Sequence, residues 1–129
     1  MMNRRQLLGG AAFLFTFGLG EREAVAAAGR TIVYIGARNC GPCQSFEAYD
    51  WEKFTAGVKK NGYGVRTVKV QDLKHIREID AWPADLRPLL AQFKSKRGTP
   101  RFLVVEGGRV TRNLFGGYQG RRLAGYGPP

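Results

Sequence analysis

The chain has 129 residues, with 21 Lys+Arg against 10 Asp+Glu, a net charge of +11, and only two cysteines. That length gives room for one domain with one core, and the basic balance favours anionic partners such as acidic proteins or an anionic lipid surface. No aromatic-basic motif of an RNA-binding sheet is present, which excludes nucleic acid as the expected partner, and the scattered cations read as a solvated face.

Residues 1–26 have the layout of a secretory signal peptide. Asn3-Arg4-Arg5-Gln6-Leu7-Leu8 leads into an apolar stretch from Leu7 to Leu19, which Glu21-Arg22-Glu23 ends. Ala24-Val25-Ala26 then offers a small-x-small cleavage site. The paired arginines resemble the twin-arginine export signal, although Asn3 and Gly9 depart from its commonest residues. The apolar run is shorter than the ~20 residues that span a bilayer. Cleavage and a periplasmic location are therefore expected, with an uncleaved membrane anchor as the alternative. Residues 27–129 form the single predicted domain, still strongly basic without the leader.

Along that domain, Thr31-Ile-Val-Tyr-Ile35 reads as a short strand closed by Gly36. Cys40-Gly41-Pro42-Cys43 follows, and a helix begins there, with Phe46, Phe54 and Val58 able to share a face with Cys43. Glu47 and Asp50 fall in the same angular sector, so either the helix bends or a carboxylate lies under the cysteines; bending with partial exposure is favoured. Lys59-Lys60-Asn61-Gly62-Tyr63-Gly64 suits a helix C-terminus, and Val65 to Val70 reads as a second strand. Leu73, Ile76 and Ile79 suggest a short helical turn before Trp82-Pro83. Asp85 is then placed as N-cap of a helix carrying Leu86, Leu89, Leu90 and Phe93, with Pro88 in its first turn. Arg101–Glu106 and Arg109–Phe115 flank Gly107-Gly108, the pattern of a hairpin with a primed turn.

The two cysteines carry the chemistry. A thiolate that attacks a disulfide forms a mixed disulfide and needs a second thiol nearby to release the product. An exported protein meets an oxidising compartment, where most disulfides are structural. A loop as short as Cys40–Cys43 gains little closure entropy, so redox work is the better reading. Cys40, at the helix N-terminus, is the expected nucleophile, because unpaired N–H groups and the helix dipole favour a thiolate there. Cys43, one turn inside and more buried, is the expected resolving thiol. Gly41 leaves space for a substrate backbone and Pro42 stiffens the first turn. His75, the only histidine, lies in a polar segment and reads as a surface residue. Two cysteines and one distant histidine do not complete a four-ligand zinc site within one chain, so neither a metal nor another cofactor is expected.

Cys-Gly-Pro-Cys after a strand, with Thr99-Pro100 opening a Gly-Gly hairpin that is trailed by Gly116-Gly117, resembles the thioredoxin family over roughly residues 31 to 117. The resemblance implies an α/β fold with a central mixed β-sheet, flanking helices and a shortened C-terminal helix. It implies a thiol–disulfide exchange site, with a cis Thr99-Pro100 bond facing the redox pair and exposing backbone to an extended substrate. Three departures stand out: Asn39 where the family carries a tryptophan, Tyr34 where it buries an aspartate, and a short Gly/Pro-rich tail after Gly117 in place of a long helix. A short-tailed exported variant of this kind resembles dedicated periplasmic thioredoxins rather than the housekeeping protein. The expected function is a monomeric reductant that exchanges its dithiol with a client protein's disulfide and receives electrons from a membrane protein. The alternatives are a disulfide oxidase or isomerase, and a thioredoxin-fold binding or chaperone-like module.

Overall fold

The computed structural model describes residues 29–93 and 98–127. The leader and the ends of the predicted domain lie outside the described residues. Four strands form one mixed sheet: β1 (Arg30–Ala37), β2 (Gly64–Val70), β3 (Arg101–Glu106) and β4 (Arg109–Phe115). Their order is β2-β1-β3-β4, with β1 parallel to β2 and antiparallel to β3, and β3 antiparallel to β4. Helices α1 (Gly41–Tyr49), α2 (Trp51–Lys60) and α3 (Gly117–Leu123) pack on one face of the sheet. The segment from Leu73 to Phe93, built from short 3-10 helices, covers the other face. The α/β class, the mixed sheet, the flanking helices and the shortened C-terminal helix expected from the sequence are all present.

β1 and β3 are interior strands with helical layers on both sides, which is why Ile32–Ile35 and Phe102–Val105 are near-continuous apolar runs. Alternation along β1 sends Val33, Ile35 and Ala37 to one core cluster, with Trp82, Leu86, Leu89 and Phe93. Ile32 and Tyr34 go to the other, with Phe46, Phe54, Val58 and Phe102. The edge strands are polar instead. Arg66, Thr67 and Lys69 on β2, and Arg109, Thr111, Arg112 and Asn113 on β4, blunt the unpaired edges. The β3–β4 turn has Gly107 at φ 58° and Gly108 at φ 79°, the two positive values a type I′ hairpin needs.

The helix after the cysteines does bend. Its continuity ends at Asp50 (φ −112°, ψ −17°), which separates α1 from α2 and lets both Phe46 and Phe54 reach Phe102. Both carboxylates of the ambiguous sector are partnered: Glu47 by Tyr34 and Lys69, Asp50 by Tyr126 and Arg121.

The predicted helix at Asp85 needs correction. The segment Ala84–Ala91 is 3-10 in type, Pro83 occupies the N-cap position, and Phe93 lies beyond the end, though fully buried. Pro88 is the physical reason. With the first turn starting at Ala84, its missing N–H falls beyond the positions where that loss is free, and its ring opposes an α-helical carbonyl. Asp85 instead receives two hydrogen bonds from the Arg66 guanidinium, at 2.7 and 3.0 Å, and ties this segment to β2.

Gly57 on α2 faces the backbone of Ala124, and an added Cβ would collide with its carbonyl. Alanine there gains up to about 1 kcal/mol of helix propensity. The collision, against backbone that cannot rotate away, costs about 1–3 kcal/mol. Gly57→Ala is therefore expected to lower the urea midpoint; an unchanged or raised midpoint would show that α2 and Ala124 separate freely.

Candidate functional site

The last residues of β1 deliver the chain to the cysteines. The Arg38 N–H donates to Val70 O at 2.9 Å and the Cys40 N–H to Ala37 O at 3.3 Å, so the loop between β1 and α1 is fixed to the sheet. Asn39 Oδ1 accepts from the Leu73 N–H at 2.8 Å, which ties the loop to the covering segment on the other face. The residue that stands where the resemblance expects a tryptophan is thus a polar brace.

Cys40 is the N-cap of α1, in extended conformation, and its Sγ accepts from the Cys43 N–H at 3.1 Å. Pro42 lies in the first turn, where its missing N–H costs nothing. Cys40 and Cys43 form a disulfide, with their Cα atoms 5.2 Å apart. Both are buried, at 2% and 0% exposure, so the expected difference between an open Cys40 and a covered Cys43 is small in the oxidised protein. Access comes from Gly41 and Pro42, which are exposed; an added Cβ on Gly41 would meet nothing within 4 Å.

The Thr99-Pro100 peptide bond is cis, as expected, and it lies against the disulfide. The Thr99 carbonyl oxygen is 3.4 Å from Cys40 Sγ, where it would accept from the thiol of the reduced protein. The fold thereby brings all six predicted site residues together: Cys40, Gly41, Pro42 and Cys43 from the start of α1, and Thr99 and Pro100 from the approach to β3. Thr99 Oγ1 is the one buried side-chain polar atom without a partner among the described residues. Thr99→Val removes that unpaired hydroxyl and is expected to leave stability unchanged or raise it by about 1 kcal/mol, read from the denaturation midpoint.

Sequence reasoning missed the far wall. Gly116, at φ 100°, donates its N–H to Pro100 O at 2.8 Å, and Phe115 pairs with Arg101 across the strands. Phe115 is 57% exposed beside Gly98 and forms an apolar rim next to the cis bond. An aromatic residue at the outward end of an edge strand, just before two glycines, was the available signal. His75 is exposed in the 3-10 turn Leu73–His75, in keeping with its reading as a surface residue.

Tyr34, fully buried where the resemblance expects an aspartate, donates its hydroxyl to Glu47 Oε2 at 2.7 Å. Lys69 pairs with the other Glu47 oxygen. A carboxylate on α1, one turn beyond Cys43, thus serves this polar spot, and it is reached from the helix rather than from β1. Burial raises the Tyr34 phenol well above its usual range, and the hydrogen bond to the carboxylate adds to this; Tyr126 is raised in the same way beside Asp50.

No family model and no curated protein matches the chain. Among solved structures it is similar to oxidised thioredoxin from Plasmodium falciparum, at 18% identity over 74% of this chain and 76% of that one, with a TM-score of 0.48. Thioredoxin from Aeropyrum pernix is 23% identical over 74% of this chain and 68% of that one, with a TM-score of 0.47. Mitochondrial thioredoxin 3 from Saccharomyces cerevisiae is 18% identical over 74% of each chain, with a TM-score of 0.43. These likenesses are distant, and the site is defined by its own geometry.

The tyrosine shifts have a sign that can be checked. An unfolded tyrosine loses its proton near pH 10, while the folded protein keeps Tyr34 and Tyr126 protonated to higher pH. The folded state then binds more protons, so stability is full below about pH 10 and falls as pH rises beyond it. Tyr34→Phe is expected to flatten the alkaline fall of the melting temperature; an unaltered slope would assign that fall to other groups.

Proposed function

We propose that this chain is a thiol–disulfide oxidoreductase that works as a periplasmic reductant of a client protein. The observation that carries this reading is the Cys40–Cys43 disulfide seated at the N-terminus of α1, with Cys40 as cap and the cis Thr99-Pro100 bond against it. In the reduced protein the Cys43 N–H and the α1 dipole stabilise a Cys40 thiolate. That thiolate attacks one sulfur of the client disulfide, forming a mixed disulfide as the other client sulfur leaves as a thiolate and takes a proton. The Cys43 thiol then loses its proton and attacks Cys40 Sγ. The protein disulfide closes and the second client thiol departs. Two electrons pass to the client, together with one proton from the Cys43 thiol and one from water.

Gly41 and Pro42 offer an open, side-chain-poor approach, and Thr99, Pro100 and Phe115 form the opposite wall for an extended client segment. A membrane protein supplies the electrons that reopen the Cys40–Cys43 disulfide. The twin-arginine-like leader and the oxidising compartment it implies support a periplasmic setting.

Cys40→Ser is expected to abolish reduction of a model disulfide, at least a thousandfold below wild type, while Cys43→Ser accumulates mixed disulfides with its client. Intact function in Cys40→Ser would point instead to a binding module. A reduction potential near about −120 mV would make the protein an oxidant and sink the reductant assignment.

A further inference from the structure

Between the outer strand β4 and α3 lies an open cleft of about 310 Å³, lined by Arg112, Leu114, Tyr118, Gln119, Arg122 and Leu123. No carboxylate is among those residues. The β3–β4 register shifts between Val104 and Val105, so that Val104 pairs with Arg112 but Val105 pairs with Val110, and Thr111 is the extra residue. The bulge turns Val110 to the core face that carries Trp82 and Phe93. Leu114 remains on the helical face, and strand alternation puts Arg112 beside it.

On α3, Arg122 stands one turn after Tyr118, its Nη1 3.3 Å from the phenol oxygen and its guanidinium 5.9 Å from the ring centroid. Neither Arg112 nor Arg122 has an acidic partner among the described residues, whereas neighbouring Arg121 is paired with Asp50 at 3.6 Å. Two guanidinium forks, one glutamine amide and a floor of Leu114 and Leu123 match a carboxylate on a short aliphatic stem.

The strand that carries Arg112 into the cleft runs on to the redox site. β4 ends at Phe115, and Gly116 is bonded to Pro100. Arg112 is three residues back, about 10 Å along the strand. We propose that the cleft between β4 and α3 holds an acidic side chain of the client polypeptide, a Glu or Asp about three to six residues from the client cysteine that meets Cys40. This rests on the thiol–disulfide exchange reading and names the class of client: proteins with an acidic segment beside the reducible disulfide.

Two measurements test it separately from that reading. The oxidised, isotope-labelled full-length protein is titrated with a disulfide-free peptide carrying two glutamates, and with the same peptide carrying glutamines. Shift changes centred on residues 112–123, seen only with the glutamate peptide and lost in Arg112→Gln/Arg122→Gln, are expected. No change, equal change with the glutamine peptide, or equal change with inorganic phosphate at the same concentration overturns it, the last because the cleft would then hold any small anion. Second, reduced protein is given disulfide peptides flanked by glutamate or by lysine. A kcat/KM preference for glutamate of about two- to fivefold per arginine is expected, falling towards unity in the double variant. A preference that survives in the variant overturns the assignment to this cleft. Failure to reduce either peptide would end the exchange reading, and the shift map would still decide the cleft.

Discussion

The sulfur of Cys40 holds together the end of the molecule where chemistry is expected. It accepts the Cys43 N–H and so caps α1, it closes the disulfide, and it touches the carbonyl of Thr99 on the approach to β3. A cap of this kind satisfies one of the donors left open at a helix start. In the proposed exchange reaction, opening the disulfide would present the same N–H and the same helix dipole to a Cys40 thiolate, with which both interact more strongly than with a neutral sulfur. The structural cap and the contact that would face a Cys40 thiolate are therefore one interaction. β1 is paired on both sides, so that the loop from Ala37 to Cys40 starts from a strand held by β2 and β3.

Beneath that point the protein handles its buried polar groups from the helices. Tyr34 fills the space under α1 with a ring that packs against Phe46, Trp51 and Phe102 and reaches Glu47 with its hydroxyl. Gly36 leaves room for this arrangement: an added Cβ would lie 2.9 Å from Glu47 Oε2 and 3.0 Å from the Tyr34 oxygen, so that the bonded pair would have to shift. The bend at Asp50 serves the same layer, since it frees α2 to pack Phe54 and Val58 while Asp50 itself receives the Tyr126 hydroxyl at 2.9 Å.

Much of this was legible in the sequence where local chemistry decides the outcome. Alternation and apolar runs marked all four strands, Gly107-Gly108 specified its turn, and the cysteine spacing with a preceding strand located the start of α1. The segment after β2 was less legible. A period of three to four fits an α-helix and a run of 3-10 turns almost equally, and only the exact position of Pro88 within the segment separates them. The bulge at Val104/Val105 was not readable, because Val110-Thr111-Arg112 alternates as well with an extra residue as without one. The wall formed by Phe115 and Gly116 depends on pairing between β3 and β4, which a one-dimensional pattern does not contain. The six candidate residues that the fold brings together were legible because the cysteines announce themselves; their neighbours do not.

The seven-residue length of α3 has a geometric consequence for the surface. A seven-residue helix is about 10 Å long, whereas a seven-residue strand is about 23 Å. However it is oriented, α3 covers less than half of β4. Its entry is fixed by Gly116 at positive φ, and Gly120 lies so close to the Phe102 ring that a side chain there would collide with it. Gly125, at φ 82°, follows directly after its last turn. The helix is thus pinned against β3 and cannot slide outward to cover the edge. A longer helix in that place would bury Arg112 or force it out into water. The short one leaves the guanidinium beside a leucine floor and next to Arg122, on the strand that leads to Pro100.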